Sequence, residues 1–449
     1  MVHFYKTRRL PKYRGRIKVE RGHENLTSFG GAVILESFLK KINLRRLIME
    51  NIALHIPKTK YTAVSFILPM AYSIAMGIER LSNLDILQRD SAFRCISHLR
   101  DFPDTTSLWR YLYRFDKSDI DNLSKIRTIL LNATNELSPI TKATVDLDST
   151  VLTTYGHQEG AEVGYNPHKP GRPSYHPLFA FVGETRHCIK GILRKGSTHT
   201  GFQARSFFSQ CLDLLPDTIK KINIRADSGF YDGDLIELAV NNKIKFAIVA
   251  KVTKPVQRII ASLKFRPFLK NYQESEFEYQ PIGWNRKHRF IVVRKWVKPP
   301  YSRQMTFIPP EKWEYQVIVT NLSMLPRNVW RFYNKRANVE NIVKELKLHF
   351  NMSKIPASSF LANEAYFQII LLTYDIITAL RRLCLPKRCS SFSVTSIRKD
   401  FLCVPAKLSV HGGKASLSLS GSYHRFDDFK ETLNNIHDVK LQNLSLRKN

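Results

Sequence analysis

The feature that most constrains the fold is a change in hydrophobic periodicity near residue 140. Before it, apolar residues recur at helical spacing, whereas the segment KATVDLDSTVL alternates with period two, as a half-buried strand does. Two further strand-like segments, PLFAFVGE and CIKGILRKG, are followed by helix GFQARSFFSQCLDLLP, strand KINIRAD, helix DGDLIELAVNN and strand KFAIVAK. Three strands, a helix and a strand–helix–strand unit predict a mixed α/β sheet flanked by helices.

The rest of the chain divides into segments around this sheet. We expect a basic arm, an all-helical region, the first part of the α/β domain, a β-rich insertion, the second part of the α/β domain, and a C-terminal hairpin with a helix. The predicted boundaries are 1–28, 29–138, 139–251, 252–315, 316–385 and 386–449. The second part of the α/β domain holds a long helix from about Pro326 to His349 and a largely apolar helix from Asn363 to Leu383.

The charge of the chain indicates a polyanionic partner. Lys and Arg number 70 against 38 Asp and Glu, which gives a net charge of +32. Such an excess predicts salt-sensitive attraction to nucleic acid, with an anionic membrane surface as the rival. Residues 1–24 carry eight of these Lys and Arg side chains, so the arm either follows a phosphate backbone or is a solvated tail.

The longest apolar segment, Thr62 to Ile78, is at the lower edge of membrane-span length and contains Pro69. We therefore predict a buried core helix there and no membrane partner. The six cysteines are scattered without a C-x2-C pair, which argues against a structural zinc site and fits a reducing compartment. We expect a cytoplasmic, nucleoid-associated protein.

The helical region contains a pair of helices of helix–turn–helix size. Asp104 is a plausible N-cap of its second helix, and Arg110, Tyr113 and Arg114 offer hydrogen-bond donors to DNA. Helix packing is the alternative role, because helix pairs of this spacing are common. The predicted helices of the region are 31–50, 61–79, 90–99 and 104–116.

Acidic residues lie on two of the predicted strands. Asp146 and Asp148 are two apart and share one strand face, while Asp227 ends the strand KINIRAD. Carboxylates in such places are often merely solvated, so each one alone is a weak signal. From the strand pattern, either Asp146 or Asp148 can be the functional acid.

A row of polar side chains on the helix of 326–349 strengthens the signal. At about 100° per residue, Tyr333, Arg336, Glu340 and Lys347 fall within a sector of roughly 60° beside the apolar face. Glu345 lies far around the helix and is a poor competitor for Glu340. The structural alternative is an ordinary helix with an i,i+4 salt bridge between Arg336 and Glu340.

Three carboxylates are a sufficient protein contribution to a two-metal phosphodiester site. Two divalent ions can activate a nucleophile and stabilise the leaving oxygen, and Mg²⁺ prefers carboxylate oxygen together with water and phosphate. One carboxylate would bridge the two ions, and each of the other two would hold one ion. Arg336 and Lys347 would grip phosphates beside the metals.

At this point the chain resembles the DDE transposases of bacterial insertion sequences, which carry a ribonuclease H-like catalytic domain. Within them it is similar to the cut-and-paste group with a Y-x2-R-x3-E-x6-K signature. The residues that carry the resemblance are Tyr333, Arg336, Glu340 and Lys347 for the signature, Asp148-Ser149-Thr150 for the D-x-T element, and Asp227 in IRADSGFYD. The resemblance runs from Phe29 to about Leu419.

The resemblance implies an activity and its partners. A homodimer would bind the terminal inverted repeats of its element and target DNA, then cut and join strands by cut-and-paste transposition. Asp148, favoured over Asp146 by the Thr at plus two, would bridge two Mg²⁺ ions, for which Mn²⁺ can substitute. Asp227 and Glu340 would be the flanking ligands.

The resemblance also implies DNA contacts. Tyr333, Arg336 and Lys347 would meet terminal phosphates and a flipped base. A tryptophan of the insertion would stack on that base, or would only pack its hairpins; the candidates are Trp313, Trp296 and Trp284. Three histidines of the stretch between the first two strands have spacings unlike zinc motifs, so we expect loop histidines near DNA; they are His157, His168 and His176.

Two other functions compete with this interpretation. A non-catalytic DNA-binding relative would share the charge and the helical region. A ribonuclease H-type enzyme acting on RNA–DNA hybrids would share the metal chemistry, but it gives no reason for the basic helical region or for the Tyr-Arg-Glu-Lys row.

Overall fold

The computed structural model describes residue 20 and residues 25–54, 61–297 and 312–440, so most of the predicted basic arm lies outside the described residues. The helices are α1 (Ala32–Lys41), α2 (Leu44–Asn51), α3 (Ala63–Met76), α4 (Asp85–Arg89), α5 (Ser91–Ile96), α6 (Thr105–Leu112), α7 (Lys117–Leu137), α8 (Ala204–Asp213), α9 (Gly233–Asn241), α10 (Lys254–Ser262), α11 (Pro326–Asn334), α12 (Ala337–His349), α13 (Phe360–Leu383), α14 (Val394–Ile397) and α15 (Phe426–Asp438). The strands are β1 (Leu26–Thr27), β2 (Lys142–Ser149), β3 (Leu152–Thr153), β4 (Glu162–Val163), β5 (Pro173–Tyr175), β6 (Leu178–Val182), β7 (Cys188–Ile192), β8 (Lys221–Ala226), β9 (Lys245–Val249), β10 (Arg266–Leu269), β11 (Tyr272–Tyr279), β12 (His288–Val297), β13 (Lys312–Thr320), β14 (Ala406–His411) and β15 (Lys414–Leu419).

A nine-stranded sheet with the order β10-β11-β12-β13-β9-β8-β2-β6-β7 forms the centre of the molecule. Strands β2, β8 and β9 are parallel, while β6 and β7 continue antiparallel from β2. The predicted mixed sheet flanked by helices is thereby confirmed. The strands of the insertion continue this same sheet, because β13 pairs antiparallel with β9.

The first strand of the domain, β2, is buried on both faces, so the expectation of a half-buried strand was wrong. Val145 and Leu147 pack into an apolar cluster with α8 and α9. The opposite face carries Thr144, Asp146 and Asp148, which are also buried. The reason is that the segment containing α11 and α12 covers this polar face.

The helix predicted over 326–349 is two helices, α11 and α12. Between them the chain makes tight turns: Arg336 N donates to Tyr333 O at 2.8 Å, and Val339 N donates to Arg336 O at 2.8 Å. These i→i+3 bonds interrupt the α-helical pattern. The single-helix sector argument therefore fails, and Glu340 lies in the first turn of α12, where the helix dipole favours a carboxylate.

The N-terminal helices and α13 share one apolar core with the sheet. Arg127 of α7, which was not predicted as a separate helix, forms a buried ion pair with Asp375 of α13 at 2.8 Å. The approach of α13 to β7 is so close that a Cβ on Gly191 would lie 2.5 Å from Leu371. Helix α3 is buried in this core as predicted.

The predicted N-terminal helix is interrupted, whereas the predicted C-terminal hairpin is present. The predicted helix 31–50 is divided at Asn43, whose φ of 52° lies in the left-handed region. In the described residues no single helix is long and apolar enough to cross a bilayer; only the pair α3 and Leu81–Arg89 reaches that length together, bent by 94°. The predicted C-terminal hairpin is β14 and β15, turning at Gly412 and Gly413, which both have positive φ.

Candidate metal and nucleic-acid site

A ladder of polar side chains crosses the parallel strands β2 and β8 toward their carboxyl ends. Thr144 pairs with Asn223 and Asp146 pairs with Arg225 in the strand register. Two residues further on, Asp148 and Asp227 follow on the same face, because side chains alternate along each strand. The parallel pairing therefore brings these two acids together at one edge of the sheet.

Asp146 and Asp148 have different partners. Asp146 is completely buried, and both its oxygens accept hydrogen bonds from Arg225, at 2.6 and 2.7 Å. Arg225 also donates to the carbonyl of Phe332 at 2.8 Å. Asp146 is thus engaged in a buried ion pair, whereas Asp148 faces the segment that carries Arg336 and Glu340.

One guanidinium contacts all three acids that the sequence singled out. Arg336 Nη2 lies 2.7 Å from Asp148 Oδ1 and 3.7 Å from Asp227 Oδ2, while Nη1 lies 3.3 Å from Glu340 Oε1. The same guanidinium donates to the carbonyl of Leu147 at 3.1 Å, and its side chain is only 4% exposed. Three carboxylates from β2, the end of β8 and α12 therefore surround one guanidinium group.

Burial controls the electrostatics around Asp148. Burial raises the pKa of Asp148 to about 6 against the opposing effect of Arg336, and the negative charge of Asp227 adds to the rise. Burial also raises the pKa of Tyr333 to about 12, so its phenol stays protonated. Burial lowers the pKa of Lys347, while Asp148 counteracts this. The ionised Asp148 carboxylate would thus be stabilised by added positive charge beside it.

The donor set fits divalent cations that are shared between carboxylates. Carboxylate oxygens are the ligands that Mg²⁺ prefers. Within the described part of the chain, no three Asp, Glu, His or Cys side chains surround a point closely enough to hold one ion. Two ions that share Asp148 would need only two carboxylates each, and Asp227 and Glu340 are suited to be the other two.

A cavity of about 410 Å³ opens beside the acids. Its residues come from the carboxyl ends of β2, β5, β8 and β9, from the segment between β3 and β5, from the loop after β7, and from α12. They are Ser149, Thr150, Val151, Tyr165, Pro167, His168, His176, His199, Thr200, Asp227, Ser228, Gly229, Lys251 and Lys347. A neighbouring cavity of about 520 Å³ is lined by Asp148, Glu340, Lys344 and Lys347, among others. Lys347 lies on the wall of both.

The sequence patterns did not predict several of these residues. Lys251 is the clearest case, because it follows β9, whose carboxyl end lies at the same edge as Asp227 in the parallel part of the sheet. That topology was a usable signal. His199 and Thr200 gave no comparable signal, because only the fold returns their loop to the site. Of the three predicted loop histidines, His168 and His176 line the cavity and His157 does not.

The candidate tryptophans pack within the protein. Trp284 lies 5.0 Å from the ring of Tyr231 and 5.3 Å from that of His288. Trp296 and Trp313 pair at 4.9 Å, and the Arg294 guanidinium lies 4.2 Å from Trp313. None of the three tryptophans lines either cavity beside the acids.

On α6, Asp104 is the N-cap, and its carboxylate accepts from Ser107 N at 2.9 Å, as predicted. Arg110 and Arg114 are exposed. The hydroxyl of Tyr113 is instead hydrogen-bonded to Ser358, at 2.9 Å from both its Oγ and its N. Arg110 of α6 and Arg114, two residues beyond its end, therefore remain open to a partner.

The fold and the site define a mixed α/β domain in which acidic side chains cluster at the carboxyl ends of two parallel strands. The chain matches the family model "Transposase DDE domain group 1" over residues 11–441, and it therefore belongs to the DDE transposases. A comparison with curated proteins finds no match. Among solved structures, the piggyBac transposase synaptic complex with hairpin DNA has a TM-score of 0.45 and 12% identity to this chain, over 82% of this chain and 78% of that chain.

Proposed function

We propose that this transposase binds the terminal inverted repeats of its element and carries out cut-and-paste transposition by metal-dependent cleavage and strand transfer. The observation that supports it most directly is the convergence of Asp148, Asp227 and Glu340 on the Arg336 guanidinium. Membership of the DDE family is the second support. Target DNA and a second copy of the chain are the further partners that joining two ends requires.

In this proposal Asp148, Asp227 and Glu340 would hold two Mg²⁺ ions, and Asp148 would be shared between them. The ions would supply Lewis acidity for in-line attack on phosphorus. Arg336 neutralises the acids until cations and phosphate arrive. Lys347, on the wall of both cavities, binds the phosphate next to the broken bond.

The surrounding groups have binding roles. Tyr333 stays protonated and can donate to a phosphate oxygen. Arg110 and Arg114 contact the backbone of the terminal repeat from α6. The packed tryptophans give less support to base stacking, and for Trp313 that role stays a prediction.

The experiment uses duplexes made from the DNA that flanks the coding region, with Mg²⁺ or Mn²⁺. Asp148→Asn, Asp227→Asn and Glu340→Gln should each lower cleavage by about 100-fold or more, because a lost ligand removes several kcal/mol of transition-state stabilisation. DNA binding in a gel shift should persist. Asp234→Asn, an exposed acid in the first turn of α9, is the matched control and should cleave normally.

Cleavage at the wild-type rate by all three variants would contradict the metal roles. A wild-type protein that shifts the correct ends but nicks them with neither metal would instead be a non-catalytic DNA-binding protein. Degradation of an RNA–DNA hybrid without cleavage of duplex ends would indicate the ribonuclease H-type alternative.

A further inference from the structure

Tyr165 is a large aromatic side chain exposed on the wall of the cavity beside the acids. It is 74% exposed and lines the cavity together with its neighbours Pro167 and His168. A single exposed aromatic is common on a protein surface. What distinguishes Tyr165 is the combination of a rigid backbone beneath it and a charged wall that shares the cavity.

The backbone on both sides of Tyr165 is fixed. A Cβ on Gly164 would lie 2.1 Å from the carbonyl oxygen of Gly196, so the chain there packs directly on the loop after β7. Asn166 is 5% exposed; its amide donates to Thr153 Oγ1 at 3.1 Å, and its oxygen accepts from Lys169 N at 3.0 Å. An exposed ring on a fixed backbone is preorganised, since binding has only the side chain to order.

The rest of the cavity wall supplies charges suited to a nucleotide. Lys251 and Lys347 are cations that attract phosphate, and Asp227 is one of the proposed metal ligands. A basic groove combined with an exposed ring is the usual composition of a single-strand binding site, because every base has a face that can stack. The cavity volume of about 410 Å³ falls within the range of small-ligand sites.

We propose that Tyr165 is a stacking platform for an unpaired nucleobase of a DNA strand whose neighbouring phosphate lies against Lys251 and Lys347. This proposal rests on the proposed function of the same site and adds a specificity-determining contact to it. It assigns the segment between β3 and β5 the task of holding the unpaired end, a task for which the family resemblance offered the insertion tryptophans as candidates.

The test measures binding without cleavage. The probe is a duplex with a single-stranded overhang whose first unpaired base is 2-aminopurine, in buffer with EDTA; stacking quenches its fluorescence. Tyr165→Ala should abolish the quenching and weaken binding by about 5- to 150-fold, the effect expected for one base–aromatic stack. Tyr165→Phe should retain both, because it keeps the ring.

Tyr155→Ala is the matched control. Tyr155 lies in the same segment and is 73% exposed, but it contacts Lys169 and does not line the cavity. This variant should bind like the wild type, and a blunt duplex should bind all the variants equally.

The inference is overturned if the wild type does not quench the probe, if Tyr155→Ala loses as much affinity as Tyr165→Ala, or if Tyr165→Ala weakens blunt and overhanging duplexes alike. Loss of metal-dependent cleavage is a separate outcome. Quenching that depends on Tyr165 in a protein that never cleaves would refute the proposed catalysis and leave the stacking site standing.

Discussion

The stability of the protein should respond very differently when the carboxylate of Asp146 or that of Asp148, on the same strand, is replaced by its amide. Asp146→Asn alters an acid that is engaged in a buried ion pair, and Asp148→Asn alters an acid that burial and a like charge already disfavour. The two substitutions remove the same charge, two residues apart, on the same face of β2. Their comparison therefore separates a structural acid from a functional one.

The expected loss of stability in Asp146→Asn comes from the buried Arg225 charge that the substitution leaves behind. Burial still raises the pKa of Asp146, because desolvation outweighs the pairing with Arg225. The ion pair itself is thus a weak source of stability. Removing one partner nevertheless leaves Arg225, with its side chain 5% exposed, as a buried charge without its bidentate acceptor. Breaking such a pair costs about 3–5 kcal/mol.

For Asp148→Asn we expect the free energy of unfolding to fall by less than about 1 kcal/mol, or to rise. A carboxyl whose folded-state pKa is raised from 3.8 to about 6 loses stability as pH rises across that interval, so at pH 7 the folded protein holds this charge at a cost. The neutral amide removes that cost. Arg336 keeps Asp227, Glu340 and the carbonyl of Leu147 as partners.

Urea unfolding at pH 7, followed by circular dichroism, gives both free energies, and the cleavage assay is run on the same preparations. The double variant Asp146→Leu/Arg225→Met should recover most of the loss, since an apolar pair leaves no buried charge. Equal destabilisation by Asp146→Asn and Asp148→Asn would refute the reasoning. So would a fully stable Asp146→Asn variant.

Two further predictions concern other charged groups. Burial, with a contribution from Asp121, raises the pKa of Glu364 from 4.5 to about 7, so its ionisation lowers the stability of the protein as pH rises through that interval. Glu364→Gln should therefore be more stable than the wild type by about 1–3 kcal/mol at pH 8 and equally stable at pH 4. The same gain in stability at both pH values would contradict this. Lys251→Ala should weaken binding to DNA ends of any sequence and lower the slope of log affinity against log salt concentration by about 1. The control Lys142→Ala, at the other end of β2, should leave this slope unchanged. Equal slopes for the two variants would show that Lys251 does not contact DNA.

The sheet was predictable because its signals are local. Period-two alternation identified β2, short apolar segments identified β6, β7, β8 and β9, and helical periodicity identified α8 and α9. The burial of the polar face of β2 was not predictable, because it depends on α11 and α12, which lie far along the chain. The same limit hid the continuation of the sheet into the insertion, since pairing of β13 with β9 is a tertiary choice that no local pattern encodes.

The acidic residues of the site were predictable from the sequence, whereas most of the residues that line the cavities beside them were not. Asp148 and Asp227 end adjacent strands, and a short spacing links Glu340 to Arg336, so sequence alone could nominate them. The division between α11 and α12 was invisible, because Asn334 to Ala337 contain no proline or glycine to mark a break. His199, Thr200 and Tyr165 come from irregular loops, where periodicity carries no information.

The position of Arg336 changes how activity data from this site should be interpreted. The sequence predicted a phosphate contact, yet its guanidinium is buried among Asp148, Asp227 and Glu340 and bonded to the carbonyl of Leu147. Nearby acids raise the pKa of Arg336 despite its burial, so it remains a fixed positive charge between groups that would otherwise repel one another. A substitution there would release that repulsion in the metal-free protein before any DNA is bound. Inactivity of an Arg336 variant therefore supports a DNA contact only if its unfolding free energy is unchanged, whereas Lys347 lies on both cavity walls without a carboxylate in salt-bridge contact among the described residues and gives the cleaner test of phosphate binding.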